Sequence, residues 1–122
     1  SCRFFTHSTE TLLWAKKGKK AKHTFHYDAM KAQNGGKQMK CVWQFTPPNK
    51  LEKTFGKHPT QKPLALLERC ILAASNPGDL IFDPFMGSGT TGVAALKHGR
   101  QFCGCEVETD YFELAQKRMK HD

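Results

Sequence analysis

Residues 79–92 read Asp79-Leu80-Ile81-Phe82-Asp83-Pro84-Phe85-Met86-Gly87-Ser88-Gly89-Thr90-Thr91-Gly92, and this stretch decides the fold. Leu80, Ile81 and Phe82 are an apolar, β-favouring run that ends at an acid, Asp83; Gly87, Gly89 and Gly92 follow, and Val93-Ala94-Ala95-Leu96 continues as a helix former. The order is strand, glycine-rich turn, helix. Glycine suits such a turn because it accepts φ > 0 and lets a ligand come close to the backbone, and the helix behind it offers N–H groups without intrahelical partners. The segment reads as a site for a nucleotide-type cofactor. Gly87 to Gly92 also fit G-x-G-x-x-G literally, and Glu106 falls at the end of the next expected strand, near the place of a ribose-binding acid. The spacing alone leaves a nicotinamide cofactor, and with it a dehydrogenase fragment, open.

On either side of this stretch the signals stay consistent. Pro63 opens a helix predicted to run to Ser75, with Leu64, Leu67 and Ile71 on one apolar face and Leu66 beside them. Asn76-Pro77-Gly78-Asp79 has the chemistry of a type II turn. The helix after the glycines stops at His98-Gly99, the next strand is predicted over Gln101–Glu106, and a last helix starts with Thr109 as N-cap. Asp110 and Glu113 early in it, and Lys117, Arg118 and Lys120 late, complement the helix dipole. Residues 63–122 thus read α-β-α-β-α, an α/β fold with part of a doubly wound parallel sheet, whose ligand belongs at the carboxyl ends of the strands.

Residues 1–62 read differently. Phe4, Phe5 and Thr11-Leu12-Leu13-Trp14-Ala15 predict a buried strand with Trp14 in the core, and Cys41-Val42-Trp43-Gln44-Phe45 predicts another, closed by Thr46-Pro47-Pro48-Asn49. Between them lies a long basic loop in which Lys16, Lys17, Lys19, Lys20, Lys22, Lys37 and Lys40 are interleaved with His23, Phe25, His26 and Tyr27, a pattern suited to phosphate contact and base stacking. His23 and His26 lack a second ligand pair, so no metal is expected. His58-Pro59-Thr60-Gln61-Lys62-Pro63 is a stiff, extended lead into the helix.

The net charge of +8 is concentrated in this first part: residues 1–62 hold thirteen Lys or Arg against three acids, residues 63–122 six against eight. A basic part joined to a near-neutral cofactor part points to a polyanionic partner, nucleic acid first. With 122 residues there is room for one domain, the two parts meeting at residues 58–63. The leading serine predicts a processed chain or a piece of a longer one. Cys2, Cys41, Cys70, Cys103 and Cys105 form an odd set without a C-x-x-C pair, which predicts reduced, mostly buried thiols in a cytoplasmic protein. The sequence holds no apolar stretch of bilayer-spanning length and no visible signal peptide, so no membrane partner is expected.

HPTQKP at 58–63, followed by DPFMGSGTT at 83–91, closely resembles the C-terminal half of the β-class DNA amino-methyltransferases, many of them partners of bacterial restriction systems. Gly104-Cys105-Glu106 with Asp110-Tyr111 resembles the family's second cofactor motif, and Glu10 to Lys17 the strand before its target-recognition segment. The resemblance implies a Rossmann-like fold, S-adenosylmethionine as cofactor, and double-stranded DNA as substrate, methylated on the exocyclic amino group of adenine or cytosine; family frequency favours adenine. It implies cofactor contacts at Thr60, Gln61, Lys62, Asp83, Phe85, Gly87, Ser88, Gly89, Thr90, Thr91 and Glu106, with His58 and Pro59 setting the backbone. It places target recognition at about residues 16–50, where the seven lysines would contact DNA. The activity implied is direct transfer from cofactor to a flipped base without a covalent enzyme intermediate, so no cysteine is expected as nucleophile.

The family's catalytic Asp/Asn/Ser-Pro-Pro-aromatic tetrad has no match in this chain. Thr46-Pro47-Pro48-Asn49 imitates it without the polar first residue of the required type or the final aromatic ring, and Asp83-Pro84-Phe85-Met86 belongs to the cofactor motif. No catalytic residue is therefore expected here, and the chain is expected to be the C-terminal part of an enzyme whose partner is the missing catalytic N-terminal part of the same protein, cut away or supplied separately; a homodimer is left open. The competing reading from another class is a non-catalytic DNA-binding module with a relic cofactor fold.

Overall fold

The computed structural model describes residues 3–121; Cys2 lies outside them. Its centre is β1 (Leu80–Asp83), the glycine turn, α3 (Thr90–Lys97) and β2 (Gln101–Gly104), with α2 (Leu64–Ala74) before and α4 (Thr109–His121) after. β1 and β2 pair in parallel, Leu80 opposite Gln101, Ile81 opposite Phe102, Phe82 opposite Cys103 and Asp83 opposite Gly104. Strand side chains alternate between faces. Ile81 and Phe102 therefore point together and pack against Ile71, Ala94 and Ala95, with Leu64 and Leu67 completing the core. Leu80 and Phe82 stay exposed on the other face.

Small residues let α3 lie close to its neighbours. Ala94 and Ala95 are fully buried, and a Cβ added at Gly92 would collide with Met119 of α4 and Phe102 of β2. At the far end of the sheet, Arg100 is 7% exposed. It donates from Nε to Ser75 Oγ (3.0 Å), from Nη2 to the Ser75 carbonyl (2.7 Å) and from Nη1 to the His98 carbonyl. One buried guanidinium thus reaches carbonyls at the ends of two helices, and the Ser75 carbonyl also pairs with His26 Nε2 (3.0 Å).

Most predicted elements of residues 63–122 stand within one or two positions. The helix expected over 63–75 runs 64–74 with Pro63 as N-cap. The turn closes with Asp79 N–H on the Asn76 carbonyl (3.1 Å) and Gly78 at φ +86°. β2 ends at Gly104 rather than Glu106, because Cys105 and Glu106 turn toward the glycine loop. The last helix begins one residue early for its cap: Glu108 offers its carbonyl to Phe112 N–H (2.9 Å), so the N-cap falls on Glu108 and not Thr109.

Residues 3–50 depart further. The expected strands at 11–15 and 41–45 have no regular structure. A strand needs a partner ladder, and the ladder among the described residues is β1–β2 alone. Trp14, expected in the core, is 58% exposed, with its ring edge-on to Phe25 (5.4 Å between ring centres) and His23 (5.9 Å). The region read as continuous loop instead contains α1 (Tyr27–Gln33), anchored by buried Met30 and by His26, whose backbone N–H donates to the Ala73 carbonyl (2.9 Å). A single buried residue in α1 gives no periodic signal in the sequence.

The cysteine expectation needs a correction too. Cys41, Cys70, Cys103 and Cys105 are free thiols, but only Cys70 is partly buried. Burial pushes its thiol pKa up, with Arg69 pulling part of the way back. Cys103 is exposed because it shares the open sheet face with Phe82. Among the described residues no helix is long and apolar enough to cross a membrane, and no three His, Cys, Asp or Glu side chains converge as metal ligands.

Candidate functional site

The carboxyl ends of β1 and β2 carry the two acids read from the sequence, and each is tied to the turn between them. Asp83 accepts from Phe85 N–H on Oδ1 (3.0 Å) and from the Thr91 hydroxyl on Oδ2 (2.6 Å). It closes the loop onto the first turn of α3. Glu106 accepts from Gly87 N–H on Oε2 (2.9 Å) and from Glu108 N–H on Oε1 (2.9 Å). The Cys105 carbonyl accepts from Met86 N–H (2.9 Å), and Cys105 N–H donates to the Asp83 carbonyl (3.0 Å). Each carboxylate oxygen here keeps a further lone pair for an incoming donor.

Gly87 and Gly89 adopt φ +52° and +79°, the left-handed region that only glycine enters cheaply. The space their missing side chains leave is taken by the chain itself. A Cβ at Gly89 would lie 2.7 Å from Ala115 Cβ, and one at Gly87 3.2 Å from His58 Nε2. The sequence reading gave this freedom to an approaching ligand; the structure gives it to α4 and to the 58–63 segment. Ser88 and Thr90, both expected at the cofactor, turn their hydroxyls inward, while Phe85 is exposed at the rim.

They turn inward to Arg118. Expected as one of the cations that complement the dipole at the end of the last helix, it is 2% exposed, and its Nη1 donates to the Ser88 carbonyl (2.8 Å), Ser88 Oγ (3.0 Å) and Thr90 Oγ1 (2.9 Å). The available signal was its spacing: Leu114, Ala115 and Arg118 share the buried face of α4.

His58 joins the turn to the second group of expected contacts. Its ring packs against Tyr111 (4.2 Å between centres), and its Nδ1 accepts from Thr60 N–H (3.1 Å). Gln61 is 8% exposed; its Nε2 donates to the Glu52 carbonyl (2.8 Å), and its Oε1 is buried without a partner. Glu52 was not singled out by the sequence, yet its Oε2 accepts from Leu64 N–H (2.9 Å) and so caps α2. Lys62 reaches both oxygens of Glu10, at 2.8 and 2.7 Å. Asn49, the last residue of the tetrad lookalike, accepts from Glu52 N–H on its side-chain oxygen (3.0 Å) and caps a 3₁₀ turn over Leu51–Lys53, in keeping with a turn reading.

Thr60, Gln61 and Lys62 line a cavity of about 660 Å³ whose other walls include Leu12, Trp43, Phe45 and Pro47. No residue of 83–91, nor Glu106, lines it. The expected contacts thus form two clusters, one on the cavity and one on the glycine turn, with His58 between them. Arg69 closes the base of the aromatic wall, its guanidinium over Phe45 (4.5 Å) and Trp43 (5.0 Å). Lys16, Lys17, Lys19, Lys20, Lys22, Lys37 and Lys40 are all exposed, on irregular backbone beyond this wall, and the Lys40 carbonyl accepts from Trp43 Nε1 (2.7 Å).

A family model described as DNA methylase, covering N6 and N4 methyltransferases, matches residues 1–117. The Type II methyltransferase M2.DpnII of Streptococcus pneumoniae is 59% identical over 121 residues, covering 98% of this chain and 45% of its own. M2.LlaDCHI of Lactococcus lactis subsp. cremoris is 56% identical over 120 residues, covering 98% of this chain and 45% of its own. The chain therefore spans about half the length of the curated relatives it matches. Among solved structures, the M1.HpyAVI–SAM complex superposes with a TM-score of 0.64 at 44% identity, over 83% of this chain and 46% of that one.

Proposed function

The chain belongs to the DNA methylase family whose model spans residues 1–117, and from that membership we propose that it is the cofactor-binding and DNA-contacting part of an S-adenosylmethionine-dependent DNA amino-methyltransferase of the restriction-modification type. The observation that carries this reading is the pairing of the turn with two acceptors of the right kind. Glu106 stands at the end of β2 with lone pairs left for ribose hydroxyls, and Gln61 Oε1 is a buried acceptor without a partner, suited to the ammonium of the methionine end. The N-terminus of α3 favours the adjoining carboxylate. The residues present fit the cofactor. When bound, it supplies an electrophilic methyl group.

This chain's own part is to bind and orient. Thr60, Gln61 and Lys62 hold the methionine end together with Asp83 to Thr91, Glu106 holds the ribose, and residues 63–122 form the cofactor half. Residues 1–62, with target recognition at about 16–50, bring the exposed lysines to DNA phosphates. The target is the exocyclic amino group of adenine, or of cytosine, in duplex DNA. The catalytic tetrad is placed in another part of the complete protein, so this chain by itself is inactive. The literal G-x-G-x-x-G needs no nicotinamide to explain it, since Gly89 and Gly92 are required by Ala115, Met119 and Phe102.

Calorimetric titration of the protein with S-adenosylmethionine and, in parallel, with NAD tests the reading. Saturable binding of the first alone is expected, lost on Glu106→Ala. Binding of NAD, or of neither, would sink it.

A further inference from the structure

Gly89 is the freest hinge of the turn, with φ +79° and no side chain. Yet the peptide between Ser88 and Gly89 is held at both edges. Its N–H donates to the Met86 carbonyl (2.8 Å) and its carbonyl oxygen accepts from Arg118 (2.8 Å). A peptide unit is planar, so fixing both edges fixes its orientation and the direction in which the chain enters α3. The same guanidinium nitrogen holds Thr90 Oγ1, on the first residue of that helix. Ala115, one helical turn before Arg118, fills the space beside Gly89. A long way from the turn in sequence, α4 thus determines its shape.

Arg118 lies in the last turn of α4, where the dipole of its own helix favours a cation, but it points at the start of α3, where the dipole does not. The N-terminus of a helix carries a partial positive charge, and a neighbouring cation opposes it. The arrangement makes sense where the turn must stay strongly attractive to an anion. Arg100 offers the contrast: it is also buried, but both helix ends it touches are C-terminal, where a cation is favourable.

We propose that Arg118 is a positioning residue for the cofactor, orienting the Ser88–Gly89 peptide and the start of α3 toward the carboxylate of the methionine moiety. The inference rests on the proposed cofactor. It predicts a selective loss, because the nucleoside moiety is held at Glu106 and not by this peptide.

The test compares Arg118→Met, Arg118→Lys and Arg100→Met in the intact protein. Each is titrated with S-adenosylmethionine and with methylthioadenosine, which lacks the amino-acid end, at a temperature where melting curves show the variant folded. Arg118→Met should weaken S-adenosylmethionine binding on the order of tenfold or more and leave methylthioadenosine within about twofold. Arg100→Met should lower the melting temperature without changing either affinity. Arg118→Lys keeps the charge and loses the planar geometry, so it should fall between, and it carries the comparison if the methionine variant does not fold. Equal losses for both ligands, or an unchanged affinity in folded Arg118 variants, would overturn the proposal while leaving the cofactor reading intact. Failure of the unaltered protein to bind S-adenosylmethionine would overturn both.

Discussion

Gly89 and Ala115 stand so close that a Cβ at position 89 would lie 2.7 Å from Ala115 Cβ and 3.0 Å from its Cα. Real Cβ atoms do not approach this near, and the backbone at 89 is left-handed as well. Gly89→Ala should therefore cost stability by two routes, backbone strain and overpacking, together about 2 to 4 kcal/mol. Urea unfolding of Gly89→Ala with and without Ala115→Gly separates them. The double variant should recover, relative to Ala115→Gly alone, only the share of overpacking due to the Ala115 Cβ, because its Cα stays 3.0 Å away, and the strain part should persist.

Glu106 makes a different kind of contact with the turn, through the Gly87 N–H. Its replacement by glutamine keeps one acceptor and the side-chain volume but removes the charge that strengthens each bond. Stability should fall by about 1 kcal/mol, while affinity for S-adenosylmethionine should fall further, on the order of tenfold or more, because ribose donors lose their partner. Thermal melting and calorimetry on the same sample check both. Equal, small effects on the two would show that Glu106 serves the turn alone.

Much of this site was legible in the sequence, and the parts that were not share a cause. The strand, glycine turn and helix are local, each specified by its own few residues, and stand where they were read; the following acid, Glu106, falls two residues past the strand end it was assigned to. Glu52 is twelve positions from the Leu64 N–H it caps, and Arg118 is thirty from Ser88; nothing in either neighbourhood announces the partner. The rule that places cations at helix C-termini already gave Arg118 a sufficient role on its own helix. Trp14 and Val42 failed for another reason. An apolar run becomes core only where a second apolar face covers it; Trp14 meets the edge of Phe25 and still stays 58% exposed, and Val42 is 79% exposed.

Glu52→Ala tests the non-local cap. Leu64 N–H would lose its side-chain partner at the start of α2, which costs about 1 kcal/mol in comparable caps. The Glu52 carbonyl that holds Gln61 Nε2 is part of the backbone and survives the substitution. Stability measured by urea should thus drop by about that amount. If cofactor affinity fell in the same proportion as in a Gln61→Ala variant, the carboxylate would be acting on the cofactor end and not merely on the helix.

The lysines make a prediction of another character, because phosphate contacts are read in the salt dependence rather than in affinity at one condition. Lys16, Lys17, Lys19, Lys20 and Lys22 are exposed on a segment whose Gly18–Ala21 turn is closed by a long backbone hydrogen bond (3.4 Å). Each one that neutralises a phosphate contributes about 0.9 to the slope of log affinity against log salt concentration. Replacing Lys19 and Lys20 together with alanine should therefore flatten the slope by about 1 to 2 and weaken binding alike on specific and unrelated duplexes. Fluorescence anisotropy across a salt series reads both. A flattened slope confined to one duplex sequence would mean that these side chains read bases. An unchanged slope would move DNA contact away from this segment, toward Lys37, Lys40 or another part of the complete protein.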